Sequence, residues 1–98
     1  MINRIVRMSF EPQKVEDFLA FFETVKSQIA AFEGCEGLIL LRDAQLPNVF
    51  CTYSYWQSEV HLNNYRYSPL FKDTWTKTKS MFSDKAQAWS LLLEHKVK

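Results

Sequence analysis

Residues Tyr65 to Trp75, YRYSPLFKDTW, carry four aromatic rings around a Ser-Pro pair. Three more side chains suited to binding or proton transfer lie just upstream. His61 is one turn before Tyr65, Trp56 closes a strand-like run, and Thr52 sits four residues before Trp56. An imidazole of ordinary pKa, about 6.5, moves a proton near neutrality. Indole and phenol rings stack on a flat ligand and hydrogen-bond one edge of it. Arg7, in the first apolar run, is a candidate to stabilise an anion formed on such a ligand. Each of these residues also has a structural reading. Phe71 and Phe82 read first as core, Arg7 as the partner of Glu94 or Glu23, and His61 as a solvated helix residue. His95 reads as surface, while for Tyr65 and Trp75 packing and ligand contact stay equally open.

Other chemistries lack their residues. The only glycines, Gly34 and Gly37, build no phosphate loop, so neither a flavin nor a nicotinamide fingerprint is present. Cys35 and Cys51 have no metal-ligand spacing and read as buried thiols rather than a disulfide. No cofactor and no metal are expected. A net charge of +1, with acids and bases interspersed, offers no basic stripe for nucleic acid. The apolar runs are far shorter than the ~20 residues that span a bilayer, and the first residues form no signal-peptide core. The expected location is the cytoplasm, without membrane association.

The elements that must position these residues follow from hydrophobic period. Residues 2–10, INRIVRMSF, read as a strand, with Val6, Met8 and Phe10 opposite Ile5. Glu11-Pro12 ends it and opens a helix whose apolar positions run Val15, Phe18, Phe22, Val25, Ile29 and Phe32, with Gly34 as its stop. Gly37 to Leu41 and Val49 to Trp56 read as a hairpin around Pro47. Ser58 caps a short helix, and Ser68-Pro69 breaks it and restarts it toward Phe82. Residues 86–97 have helical propensity, but their position calls for a closing strand. The order βαββαβ over residues 1–98 predicts one α+β domain: a ferredoxin-like plait with a four-stranded antiparallel sheet and both helices on one face.

That sheet is apolar on both faces. Leu38 to Leu41 does not alternate, and Phe50 and Trp56 point away from Val49, Cys51, Tyr53 and Tyr55. The helices cover one face only, and each large residue left bare forgoes ~1.5–3 kcal/mol of burial. A homodimer packed sheet to sheet is therefore expected.

These features resemble the antibiotic biosynthesis monooxygenase (ABM) family of the dimeric α+β barrel superfamily. The likeness is carried by Phe32-Glu33-Gly34-Cys35-Glu36-Gly37 at the helix-to-strand corner and by Trp56-Gln57-Ser58-Glu59. Tyr65-Arg66-Tyr67-Ser68 with Phe71, at the helix break, is the third carrier. The resemblance implies a ligand pocket between the sheet and its own helices. It also implies several possible activities, from cofactor-independent oxygenation of aromatic compounds to haem degradation. Haem-degrading members use an asparagine, a tryptophan and an iron-ligating histidine where this chain has Arg7, Tyr65 and Trp75. An indole offers iron no lone pair, so that activity is disfavoured. The polyketide-type oxygenases place a tryptophan where Trp56 stands. Their asparagine, tyrosine and arginine fall at Thr52, Leu62 and near Trp75, so one position of four agrees.

Three readings remain open. The first is a cofactor-independent oxygenase of a small phenolic compound, with His61, Tyr65 and Arg7 as catalytic candidates and Trp56, Trp75, Thr52 and Phe71 as ligand-binding ones. The second is a binding module that uses the same pocket. The third is a structural dimer whose cavity is plugged by its own rings.

Overall fold

Strand and helix alternate here because the hydrophobic period switches between two and 3.6 residues along the chain. The computed structural model describes residues 1–98. Its elements are β1 (Ile2–Ser9), a 3-10 turn (Pro12–Lys14), α1 (Val15–Ala30), β2 (Cys35–Arg42), β3 (Val49–Trp56), α2 (Glu59–Arg66), α3 (Pro69–Lys79) and β4 (Gln87–Leu92). The sheet order is β2-β3-β1-β4 and every pairing is antiparallel. This is the ferredoxin-like plait, with the helices on one face.

α1 buries Val15, Phe18, Val25 and Ile29 on one stripe and places Glu16 and Asp17 at its positive end. Gly34 does not stop it directly. The helix ends at Ala30, and Gly34 follows with φ 88° as the third residue of a turn closed by the Cys35 N–H donating to the Phe32 carbonyl at 2.9 Å. That turn conformation excludes most side chains.

The second helical segment breaks where Ser68-Pro69 requires. Ser58 Oγ accepts from the His61 N–H at 3.2 Å to start α2. Ser68 Oγ accepts from the Phe71 N–H at 3.1 Å and donates to the Tyr65 carbonyl at 2.6 Å, while Pro69 occupies the first turn of α3. One hydroxyl thus ends one helix and begins the next.

β4 is a strand despite its helical propensity, because β1 offers it an unpaired edge. It is shorter than the expected 86–97. Its pairing stops at Leu92 opposite Ile2, where β1 runs out. All six β4 residues are exposed.

The solid core lies at one end of the sheet, where Met8, Phe10, Val15, Phe18, Phe50 and Met81 cluster. Phe10 stacks on Phe18 with ring centroids 4.1 Å apart. Across the helix-facing side, strand register aligns Leu38, Ser54, Arg4 and Ser90 in one row and Leu40, Thr52, Val6 and Ala88 in the next. On the opposite face it aligns Ile39, Tyr53, Ile5 and Trp89. Arg7, the candidate to stabilise a ligand anion beneath the helices, lies instead on this second face, because it shares strand parity with Ile5 and not with Met8. Cys35 and Cys51 are free and half-buried. No helix is long and apolar enough to cross a membrane.

Candidate functional site

Past the solid end, the sheet and the α2–α3 pair separate around a cavity of about 330 Å³. Its position follows from side-chain size. Beneath α3 the inner face carries the small residues Thr52, Ser54, Ala86 and Ala88, which leave space that the core residues fill elsewhere.

Trp56 is the fixed point of the wall. It is 0% exposed, and its indole N–H donates to Ser54 Oγ at 2.9 Å, so that donor is already committed. Tyr65 stacks on it at 4.9 Å and 23°. Phe71 meets Tyr65 edge-on at 5.2 Å and stacks on Trp75 at 5.8 Å and 11°. Phe32, from the α1–β2 corner, wedges edge-on against Trp56 and Tyr65. The rings Trp56, Tyr65, Phe71 and Trp75 therefore form a continuous curved wall. It bends at the Ser68 break because Tyr65 ends one helix while Phe71 and Trp75 lie one turn apart on the next.

The polar content of this wall is small and one-sided. Burial, with a lesser contribution from Cys35, pushes the Tyr65 phenol well above its ordinary pKa, so it keeps its O–H proton at neutrality. Arg4 and Arg66 are the only charged residues lining the cavity. Arg4 Nη1 donates to Ser90 Oγ at 3.0 Å. Burial and then the Arg66 charge pull the Arg4 guanidinium below its ordinary pKa. No carboxylate pairs with either one: the chain's two ion pairs, Lys14–Asp17 and Lys26–Glu23, lie on exposed stretches elsewhere.

The structure brings five of the seven candidates together: Trp56, Tyr65, Phe71, Trp75 and Thr52 all line the cavity. It separates the other two. Arg7 is on the far side of the sheet. His61 turns its ring toward the Gly34 corner, with Nδ1 2.7 Å from Ser58 Oγ, because Leu62 and Tyr65 occupy the inward face of α2. Arg4 was the residue missed. Its parity with Val6 and Met8, both apolar and on the helix side, was the available signal.

A family model for antibiotic biosynthesis monooxygenases matches residues 1–77. No protein of curated function matches the chain. Among solved structures, one provisionally named an antibiotic biosynthesis monooxygenase, from Nitrosomonas europaea, is similar at TM-score 0.88 and 15% identity, covering 97% of this chain and 100% of that one. Another so named, from Bordetella bronchiseptica, is similar at TM-score 0.83 and 21% identity, covering 99% of this chain and 97% of that one. A conserved protein from Methanosarcina mazei is similar at TM-score 0.87 and 17% identity, covering 92% and 89%. At these identities the likeness concerns the fold.

Proposed function

Since the chain belongs to the antibiotic biosynthesis monooxygenase family, we propose that it is a cofactor-independent oxygenase of a small phenolic compound bound between sheet and helices. The observation that carries this reading is the open cavity of about 330 Å³ behind a wall of stacked rings. That volume is at the lower end for ligand pockets and suits one or two fused rings. It speaks against a cavity plugged by its own aromatics.

In this reading Trp75 and Phe71 contact one side of the ligand, Tyr65 donates to an oxygen on its edge, and Thr52 lies beneath it. The phenol reacts as its anion, which is electron-rich enough to attack O₂ directly. One oxygen atom replaces hydrogen on a ring carbon and becomes a quinone carbonyl. The other leaves as water, and the substrate supplies all four electrons, so the balance needs no external reductant. The protein contributes orientation, exclusion of water and stabilisation of the anion. The working unit is a homodimer, each copy covering the other's outer sheet face.

Substrate-dependent O₂ uptake by the purified chain, with a panel of one- and two-ring phenols and no added cofactor, tests the proposal. Turnover that disappears in Trp75→Ala is the expected result. A second reading, ligand binding without turnover, is favoured by one observation: no histidine, carboxylate or lysine lines the cavity to act as a base. Saturable binding without O₂ consumption across the panel decides for it.

A further inference from the structure

The geometry points to an anion site: the cavity takes its ligand already charged, a planar aromatic carboxylate or phenolate whose oxygen is held by Arg4 and steered by Arg66, while its ring lies against Trp75 and Phe71. This inference rests on the cavity being the ligand site and adds the ligand's charge class.

Three observations carry it. The first is composition: of everything lining the cavity, the charged residues are two guanidinium groups and nothing of opposite sign. Two cations facing one space repel each other, and burying part of Arg4 removes water that would screen it. A structural arginine on an inner sheet face would be expected to have a carboxylate, and neither Arg4 nor Arg66 has one.

The second is free valence. Arg4 spends one N–H on Ser90 Oγ. A guanidinium carries five N–H donors in a rigid fork, so its other edge can grip a two-oxygen anion. Arg66, on the exposed last turn of α2, contacts only Asn63 Oδ1 at a long 3.5 Å and is placed to add charge at the entrance.

The third is the missing base. With Tyr65 held protonated and no other proton acceptor on the wall, the site has no group to ionise a neutral phenol. Two positive charges instead select the ionised form from solution and lower the ligand's own pKa once bound. Charge selection thus takes the place of general-base catalysis.

The test uses 2-naphthoate and its neutral isostere 2-naphthamide, titrated into the full chain by calorimetry at neutral pH. The expected result is that naphthoate binds about tenfold or more tightly than the amide, as a charge-assisted hydrogen bond implies. Arg4→Gln brings the two affinities together. Arg66→Gln, an exposed change that leaves folding untouched, reduces the preference by about threefold and makes it less salt-sensitive. Equal binding of acid and amide by the wild-type chain overturns the inference and leaves the pocket standing. A preference that survives both substitutions also overturns it. If neither probe binds, the pocket reading fails and takes the inference with it.

Discussion

The two faces of the sheet each depart from the usual distribution. The face covered by helices sets Arg4, Thr52 and Ser54 among core residues such as Met8, Phe50 and Trp56. The face left open carries Ile39 and Trp89, at 44% and 43% exposure, with Tyr53 between them, its ring 4.8 Å from that of Tyr55 and tilted by 33°. The open face leaves large apolar side chains in water, and the covered face withdraws a few polar ones from it. Each face makes sense with a different complement. The open face lacks an apolar cover, which the matching surface of a second copy would supply in the homodimer proposed above. The covered face has room for the small guest of the same proposal. In that reading one sheet separates assembly on one side from ligand chemistry on the other.

The sharpest way to break this contrast is to charge the open face. Ile39→Glu with Trp89→Glu places four carboxylates in a symmetric interface, each also removing ~1.5–3 kcal/mol of apolar burial. Sedimentation should change from a particle of twice 11.6 kDa to one of 11.6 kDa. A wild-type chain that already sediments at 11.6 kDa would overturn the two-sided account.

On the covered face the largest effect belongs to Trp56→Ala. It removes a fully buried indole and orphans Ser54, for a loss of about 3–5 kcal/mol in urea denaturation.

Tyr65 gives the covered face a pH signature. Its folded-state pKa is raised above the unfolded value near 10, so its contribution to stability is complete below that pH and falls as pH rises toward the folded value. The slope is at most about 1.4 kcal/mol per pH unit. Alkaline melting curves should show it, and Tyr65→Phe should flatten them.

Ser68→Ala is milder, about 1 kcal/mol, because a single hydroxyl serves the end of α2 and the start of α3. It should loosen the Tyr65–Phe71 contact and weaken ligand binding more than it lowers the melting temperature. The smallest effect is expected from His61→Ala. With the imidazole outside the cavity and its Nδ1 engaged by Ser58, O₂ uptake should change by less than about twofold, since no reacting proton is within reach.

Most of the fold was legible because its signals are local and repeated. The helical stripe from Val15 to Ile29 and the Ser68-Pro69 break each admit one reading, and both stand in the structure. β4 was legible only through its neighbours: nothing in AQAWSLLLEHKV marks where β1 ceases to offer partners, so the strand's end was misplaced. The ring wall was readable from spacing, since Phe71 and Trp75 are four apart on a helix. The charges were harder. Strand parity sets Arg7 with Ile5, away from Val6 and Met8; Arg7 stands in for Arg4 only because the resemblance, counted along the chain, puts it at the family's first-strand site position. His61 lies outside the cavity for a different reason. On a helix of eight residues, one position of rotation decides between facing a ligand and facing the corner.

That corner has a consequence for the chamber it borders. A methyl group added at Gly34 would come within 2.4 Å of His61, so the start of α2 rests directly on bare main chain. From His61 the same short helix runs to Tyr65 and hence to Trp56, which makes the missing side chain the spacer that sets the chamber's width. Enlarging residue 34 would push α2 outward like a shim under a lid, and larger ligands could then enter at the cost of a slacker grip on small ones.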